Sequence, residues 1–290
     1  MKRAKKVTLI LAKPQSGPAQ RAKDHFVKYL TEMGHAYLDL GGKTQAKSMQ
    51  GDALASSSVR CAIAFGGDGT LLRLVHKLPH KSGCPVLGVH LGTVGFLTNV
   101  EPEYLRQVYE ALLVGEHSEE ARALFSVTLV RAGKRIPCGA VLNDAVITKD
   151  AGTTMLNLSV YFRSEILSQV RGDGYIVSTP TGSTAYALSA GGSILHPSLE
   201  AALLIAICPH ALRLRPVVVP YHDPLSVHVN AFLGKAYLVL DGMIHGELLA
   251  QDVVEVQFKN EFLRLVGGWG SQGKSEPMWA ETLRHKLKLS

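Results

Sequence analysis

Cys61-Ala62-Ile63-Ala64-Phe65-Gly66-Gly67-Asp68-Gly69-Thr70 is the stretch whose reading decides the fold. The apolar run that begins at Val59 reads as a strand buried on both faces, as strands are in parallel sheets. Glycines at 66, 67 and 69 then force a tight turn. Leu71, Leu72, Val75 and Leu78 follow at helical spacing, and Pro79 ends that helix. In an open α/β sheet the crevice for ligands lies outside the carboxyl ends of the strands, where this turn falls.

Similar units surround it. Val7 to Ala12 reads as a buried strand and Pro14 to Pro18 as a loop. The next helix places Phe26, Leu30 and Met33 on one face and stops at Gly34. Ala36 to Leu40 and Val86 to Val89 read as further strands, and Glu101-Pro102 opens a helix with Leu105, Val108 and Leu112 inward. From about Ala121 the texture changes to alternation with period two, in Phe125-Val127-Leu129, Leu156-Leu158-Val160-Phe162, Tyr237-Val239 and Val254-Val256-Phe258. Pro277 to Leu289 turns helical again, with Trp279, Leu283 and Leu287 in one row. The expected fold class is α/β plus all-β: a Rossmann-like N-terminal domain with a parallel sheet, over 1–118, and a β-rich, sandwich-like domain over 119–268. A C-terminal segment over 269–290 packs its helix back on the first domain.

Bulk properties narrow the function. With 290 residues, 46% hydrophobic and 19% charged, the chain is globular and long enough to bury a core without staples. Cys61, Cys84, Cys138 and Cys208 are scattered with no Cys-x-x-Cys pair, which fits reduced thiols and a cytoplasmic location. After Met1 to Lys6 the apolar run to Ala12 is too short for a signal peptide, and Ala201 to Cys208 is too short to span a bilayer. The expectation is a soluble chain with no membrane partner. Its net charge of +7 suits a polyanionic small ligand; no Lys/Arg cluster is interleaved with aromatics as a nucleic-acid face requires.

Three stretches carry chemistry. At the first turn, glycines let backbone N–H groups approach phosphate oxygens, and the helix N-terminus adds a favourable dipole. Asp68 in such a turn is repelled by phosphate unless it takes a proton or binds a metal, so it reads as a general base towards a hydroxyl or as a Mg²⁺ ligand. The plainer alternative makes it a helix cap. The second stretch, Gly172 to Gly192, sends a short strand (Tyr175 to Val177) into a loop and a small-residue helix near Thr184 to Ala190. Ser178, Thr179, Thr181, Ser183, Thr184 and Ser189 suit ribose hydroxyls, amides and phosphates, and loop capping explains only some of them. The third, Asn143-Asp144, interrupts an apolar strand with polar side chains that need partners, which reads as a turn or as a reader of a sugar or base edge.

Other motifs are absent or rejected. Gly268-Trp-Gly-Ser-Gln-Gly-Lys274-Ser275 satisfies the P-loop pattern, but too little chain follows for such a fold, and it reads as a linker. The histidines lack metal-ligand spacing, so no residue is assigned to a zinc site, and there is no Gly-x-Ser-x-Gly elbow.

Together the turn at Gly66 to Thr70, the run Gly88-Val-His-Leu-Gly-Thr-Val-Gly-Phe-Leu-Thr98, Asn143-Asp144 and Asp173 to Gly192 resemble the NAD kinases along most of the chain. The first turn is shared with diacylglycerol and sphingosine kinases; the stretch from Asp173 is specific to the family. The resemblance implies transfer of a phosphoryl group from ATP, or from another nucleotide or polyphosphate, to the 2′-hydroxyl of the adenosine ribose of NAD, with a divalent metal such as Mg²⁺. It implies Asp68 as proton acceptor, Gly69 at the dinucleotide, and Gly66, Gly67 and Thr70 near the phosphates. Asn143 and Asp144 would hold adenosine and nicotinamide portions. Arg171, Asp173, Thr184, Ala185, Tyr186 and Ser189 would make further dinucleotide contacts, with Phe96 and Arg73 added, and no metal ligand is named. A homodimer or homotetramer is implied as well. His90, Thr93, Thr154 and Met243 depart from residues common in the family; Met243, where Gln is frequent, makes no amide hydrogen bonds. A lipid kinase, or a dinucleotide-binding protein without catalysis, are the competing functions.

Overall fold

A computed structural model describes residues 6–41, 59–78, 83–269, 275–276 and 279–288. Pro79 and most of the rejected P-loop match lie outside the described residues. The chain forms two compact units. One comprises the residues up to Ala121 together with those from Leu263 onward; the other is Arg122–Phe262.

The first unit is built on β1 (Val7–Ala12), β2 (Tyr37–Asp39), β3 (Val59–Phe65) and β4 (Pro85–Val89). Their order is β2-β1-β3-β4, all parallel. Helices α1 (Gly17–Glu32) and α3 (Leu105–Val114) cover one face, where Phe26, Leu30, Leu105, Val108 and Tyr109 meet Ile10, Ile63, Phe65 and Leu87. Helix α2 (Asp68–Val75) packs on β3 and β1. Ser16 caps α1 through its side-chain oxygen, with Pro18 in the first turn. Met33, expected on the buried face, is the C-cap and 51% exposed, because Gly34 at φ +66° already turns the chain away. Helix α3 opens at Leu105 rather than at Pro102, after a turn over the intervening residues.

In the second unit one sheet uses β5 (Glu119–Arg131), β6 (Lys134–Val141), β8 (Leu156–Phe162), β9 (Glu165–Gly172), β13 (Leu225–Ala231) and the first part of β16 (Val253–Val266). The other runs β12 (Val217–Pro220), β11 (Ala201–Ile207), β10 (Gly174–Ser178), β7 (Asp144–Lys149), β14 (Ala236–Leu240), β15 (Met243–Leu248). The pairs β5–β6, β8–β9, β8–β13, β13–β16, β7–β10, β10–β11, β11–β12, β7–β14 and β14–β15 are antiparallel. Residues of both sheets, among them Phe125, Leu158, Val177, Val227, Leu238 and Val256, share one core. This is the expected sandwich. The inward phase of β14 is Ala236, Leu238 and Leu240, with Tyr237 and Val239 on the other face. After β10 come a 3₁₀ turn (Thr181–Thr184) and a one-turn helix α4 (Tyr186–Ser189), where a single small-residue helix was expected.

The chain end belongs to the first unit. The last residues of β16 pair in parallel with β4 (Arg264↔Pro85, Leu265↔Val86). Strands β17 (Gly268–Trp269) and β18 (Ser275–Glu276) pair with each other, and α5 (Trp279–Leu287) follows them. The Lys286 ammonium lies 5.8 Å from the Phe96 ring centre, in cation–π range. Thr282 is the buried residue of α5; the row Trp279, Leu283, Leu287 is partly exposed.

Candidate active site

The β3–α2 turn is shaped in part by packing. Gly66 has φ +153°, and a Cβ there would run into the Thr70 hydroxyl, so glycine is required by the fold. Gly67 and Gly69 are exposed, have ordinary φ, and a Cβ on either would meet nothing within 4 Å. Packing does not demand glycine at these two positions, and the turn is open on that side. At the start of α2, Thr70 N–H donates to Gly67 O at 2.7 Å, while the Asp68 and Gly69 N–H groups have no acceptor within the helix. Thr70 is buried, and Arg73 projects from the exposed side of α2.

Asp68 does not cap its own helix. Its carboxylate reaches the segment after β4: Phe96 N–H donates to Oδ2 at 3.0 Å. Leu97 N–H (3.1 Å), Thr98 N–H (3.1 Å) and the Thr98 hydroxyl (2.9 Å) all donate to Oδ1. Gly95 completes the wrap, since a Cβ there would overlap Asp68 Oδ1. The competing capping role is thereby replaced by a long-range one. Phe96 is half-buried at this wrap.

Lys13 is a residue that motif reasoning missed. It follows β1 directly, its N–H bonds the Phe65 carbonyl at 2.8 Å, and its exposed side chain leaves beside Gly66. The signal was its position at a strand's carboxyl end.

In the second unit, Asn143 and Asp144 sit at the start of β7, 9% and 4% exposed. The device that holds them is Asp241. Asp241 and Gly242, at φ +48° and +77°, form the two-residue turn between β14 and β15, as an Asp-Gly pair favours. The Asp241 carboxylate accepts from Leu142 N–H (2.9 Å), Asn143 N–H (2.7 Å) and Asp144 N–H (3.1 Å). Burial first, and then the Asp241 charge, push the Asp144 carboxyl up to about 7.

The hydroxyl-rich loop is mostly spent on itself. Ser178, Thr179 and Ser183 are fully buried. Ser178 Oγ donates to Thr179 O, Thr179 Oγ1 to Leu142 O, and Ser183 Oγ to Pro180 O while accepting from Leu195 N–H. Thr184 donates to Thr181 O, and Thr181 Oγ1 is buried with no hydrogen-bond partner among the described residues. Four of the six hydroxyls, those of Ser178, Thr179, Ser183 and Thr184, are therefore bonded to backbone of the loop or its neighbours, more than the expected capping alone accounts for. Ala185 and Thr184 are partly accessible, and Tyr186 and Ser189 are exposed on α4. Arg171 is exposed at the end of β9, and Asp173, beside it, lies 3.6 Å from the Lys149 ammonium. Gly182 packs its Cα against the Asn143 backbone, with no room for a Cβ. Thus the structure brings Asn143, Asp144 and the 178–184 loop together in one unit, and gathers Gly66, Gly67, Asp68, Gly69, Thr70 and Phe96 in the other.

A glycine-rich turn at the carboxyl edge of a parallel sheet, holding an anchored carboxylate, is the equipment of a nucleotide-handling α/β protein. Comparison with known proteins makes this particular. The ATP-NAD kinase N-terminal domain matches residues 14–117, and the ATP-NAD kinase C-terminal domain matches residues 142–266. A NAD kinase of Lachnoclostridium phytofermentans is 33% identical over 262 residues, covering 86% of this chain and 91% of that protein. One from a Geobacter species is 34% identical over 287 residues, covering 96% and 97%. The chain belongs to the NAD kinase family. Its fold is also that of a yeast NADH kinase crystallised with NADH (TM-score 0.84, 22% identity, all of this chain and 89% of that one). The NAD kinase of Archaeoglobus fulgidus in complex with ATP gives a TM-score of 0.71 at 22% identity, over 97% and 98% of the two chains.

Proposed function

We propose that this chain is a NAD kinase, transferring the γ-phosphoryl group of ATP to the 2′-hydroxyl of the adenosine ribose of NAD to give NADP and ADP. The observation that carries the reading is Asp68, a carboxylate locked in place between two glycines whose exposed side is clear. Among the described residues its Oδ1 is filled by three donors, while Oδ2 accepts one. A carboxylate oxygen offers about two acceptor sites, so Oδ2 keeps one for a substrate hydroxyl. Oδ2 takes the proton of the 2′-hydroxyl as that oxygen bonds to the γ-phosphorus, and ADP leaves with the electrons of the broken P–O bond. The turn's N–H groups, with Lys13 and Arg73, oppose the charge on the donor phosphates.

Asn143, Asp144, Arg171, Asp173, Thr184, Ala185, Tyr186 and Ser189 serve the dinucleotide in this reading. A bound divalent cation such as Mg²⁺ would neutralise the triphosphate. A cytoplasmic location and a homodimer or homotetramer complete the reading, the latter checked by light scattering.

The test is NADP formation by purified protein with ATP, Mg²⁺ and NAD, alongside Asp68→Asn. Loss of a general base predicts a fall in kcat of about 10²–10⁴-fold with NAD binding retained. Unchanged turnover in Asp68→Asn would remove the base role, whereas folded wild-type protein that binds NAD but makes no NADP would favour a binding module. Phosphorylation of diacylglycerol or sphingosine in place of NAD would move the chain to the lipid kinases.

A further inference from the structure

We infer that Thr98 is a positioning residue for the reaction, holding Asp68 so that Oδ2, and not Oδ1, meets the acceptor hydroxyl; the inference rests on the NAD kinase reading above. The observations are geometric. Thr98 lies at the end of the segment that follows β4, 0% exposed, thirty residues from Asp68 in sequence. It supplies two of the four donors on that carboxylate, one from its backbone and one from its hydroxyl, both to Oδ1. The backbone turn is itself closed, with Gly95 N–H donating to Thr98 O at 2.9 Å. It is also seated on the sheet: a Cβ on Gly88 would overlap Leu97 O and come against Thr98 Cα. Asp68 is thus gripped by a rigid element, and its two oxygens are made inequivalent.

This asymmetry matters for chemistry. A free aspartate turns about χ2, presents either oxygen, and spends part of its time misaligned. With three donors converging on Oδ1, rotation breaks all of them. Oδ2 is the oxygen left with a spare lone pair, and it is fixed relative to the β3–α2 turn. Among the donors, the Thr98 hydroxyl is the one a side-chain substitution can remove while leaving the backbone intact.

The experiment compares Thr98→Val, which keeps the shape and removes the O–H, with Thr98→Ser, which keeps the O–H. Loss of one hydrogen bond to a charged group predicts a fall in kcat of about 10-fold or more in the valine variant. KM for NAD should stay within about threefold, because Thr98 contacts the base and not the substrate. The serine variant should recover most of kcat. A valine variant with wild-type kcat overturns the inference, as does a serine variant as slow as the valine one. If circular dichroism shows the valine variant unfolded, Thr98→Cys replaces it. A thiol is a weak donor, so the cysteine variant should be slower than the serine one, and equal rates overturn the inference. Wild-type protein that makes no NADP would instead sink the proposed function itself, and an Asp68→Asn variant at full rate would remove the base role on which this inference rests.

Discussion

Asp144 is a carboxyl group that the fold prefers protonated. It is nearly buried, and Asp241 lies against the same turn with its carboxylate held by three N–H donors. Its folded-state value of about 7 is raised well above that of an exposed aspartate, by desolvation first and the Asp241 charge second. Below pH about 4 the group is protonated folded and unfolded, and its contribution is fully present. As pH rises from there to about 7, the unfolded chain ionises and the native one resists, so stability falls, by up to roughly 4 kcal/mol. Asp144→Asn removes that dependence. Relative to wild type, the variant should gain stability steadily from pH 4 to pH 8, read from urea midpoints at each pH; parallel curves for the two proteins would refute the shift. Asn143 and Asp144 stood out in the sequence as polar residues inside an apolar strand. Their anchor did not, because Asp241 is nearly a hundred positions away and an Asp-Gly pair reads locally as a hairpin turn. Asp68 shows the same limit: its residue type and place were legible, its partners Phe96, Leu97 and Thr98 were not.

Elements were legible where one residue pattern answers to one neighbour. The strand from Val59 to Phe65 and the helix after it follow from apolar runs and glycine placement, whereas the start of α3 was set by a turn after Pro102 that periodicity does not register. The loop between β10 and α4 was only partly legible. Its hydroxyls looked like ligand donors because a sequence shows functional groups but not what already satisfies them. Thr179 sits at the centre of that satisfaction: its N–H bonds Asn143 O at 2.8 Å, its hydroxyl bonds Leu142 O, and it accepts from Gly182 N–H at 3.1 Å. The 3₁₀ turn is thereby pressed onto the Asn143-Asp144 turn, at a distance only glycine at 182 permits. Gly182→Ala must separate the two turns, since the obstacle is backbone and cannot rotate away. Breaking two or three buried hydrogen bonds at about 1–3 kcal/mol each predicts a loss of several kcal/mol in stability. NAD affinity should fall with it, by about tenfold or more on isothermal titration. A variant with wild-type melting temperature and NAD affinity would show that the contact is dispensable.

At the scale of the molecule, the change from an α/β texture to a β texture near Ala121 was visible in the period of the apolar residues, and it marks where the second unit begins. The return of the chain is carried by a strand that the sequence presents as ordinary. β16 reads as one run of fourteen residues, yet its last residues, Leu263, Leu265 and Val266, are almost wholly buried in the first unit, where Arg264 and Leu265 extend the parallel sheet beside β4. The first unit is therefore not a contiguous piece of sequence, and its sheet is completed only by residues that come after the whole second unit. Burying three such side chains stabilises by about 1.5–3 kcal/mol each, so their loss takes away on the order of 5 kcal/mol or more. That is comparable to the entire stability of an ordinary domain, and β4 would also be left with unpaired backbone along one edge. A chain ended at Phe262 should thus be insoluble or unfolded, while one ended at Trp269, which retains the strand and drops α5, should keep a cooperative melt. The contrast isolates the strand from the helix, because among the described residues of α5 only Thr282 is buried. Thermal denaturation and limited proteolysis of the two truncations decide it: a folded chain ending at Phe262 would show that the first unit closes without its last strand, and a chain ending at Trp269 that fails to fold would place the missing stabilisation in the segment beyond.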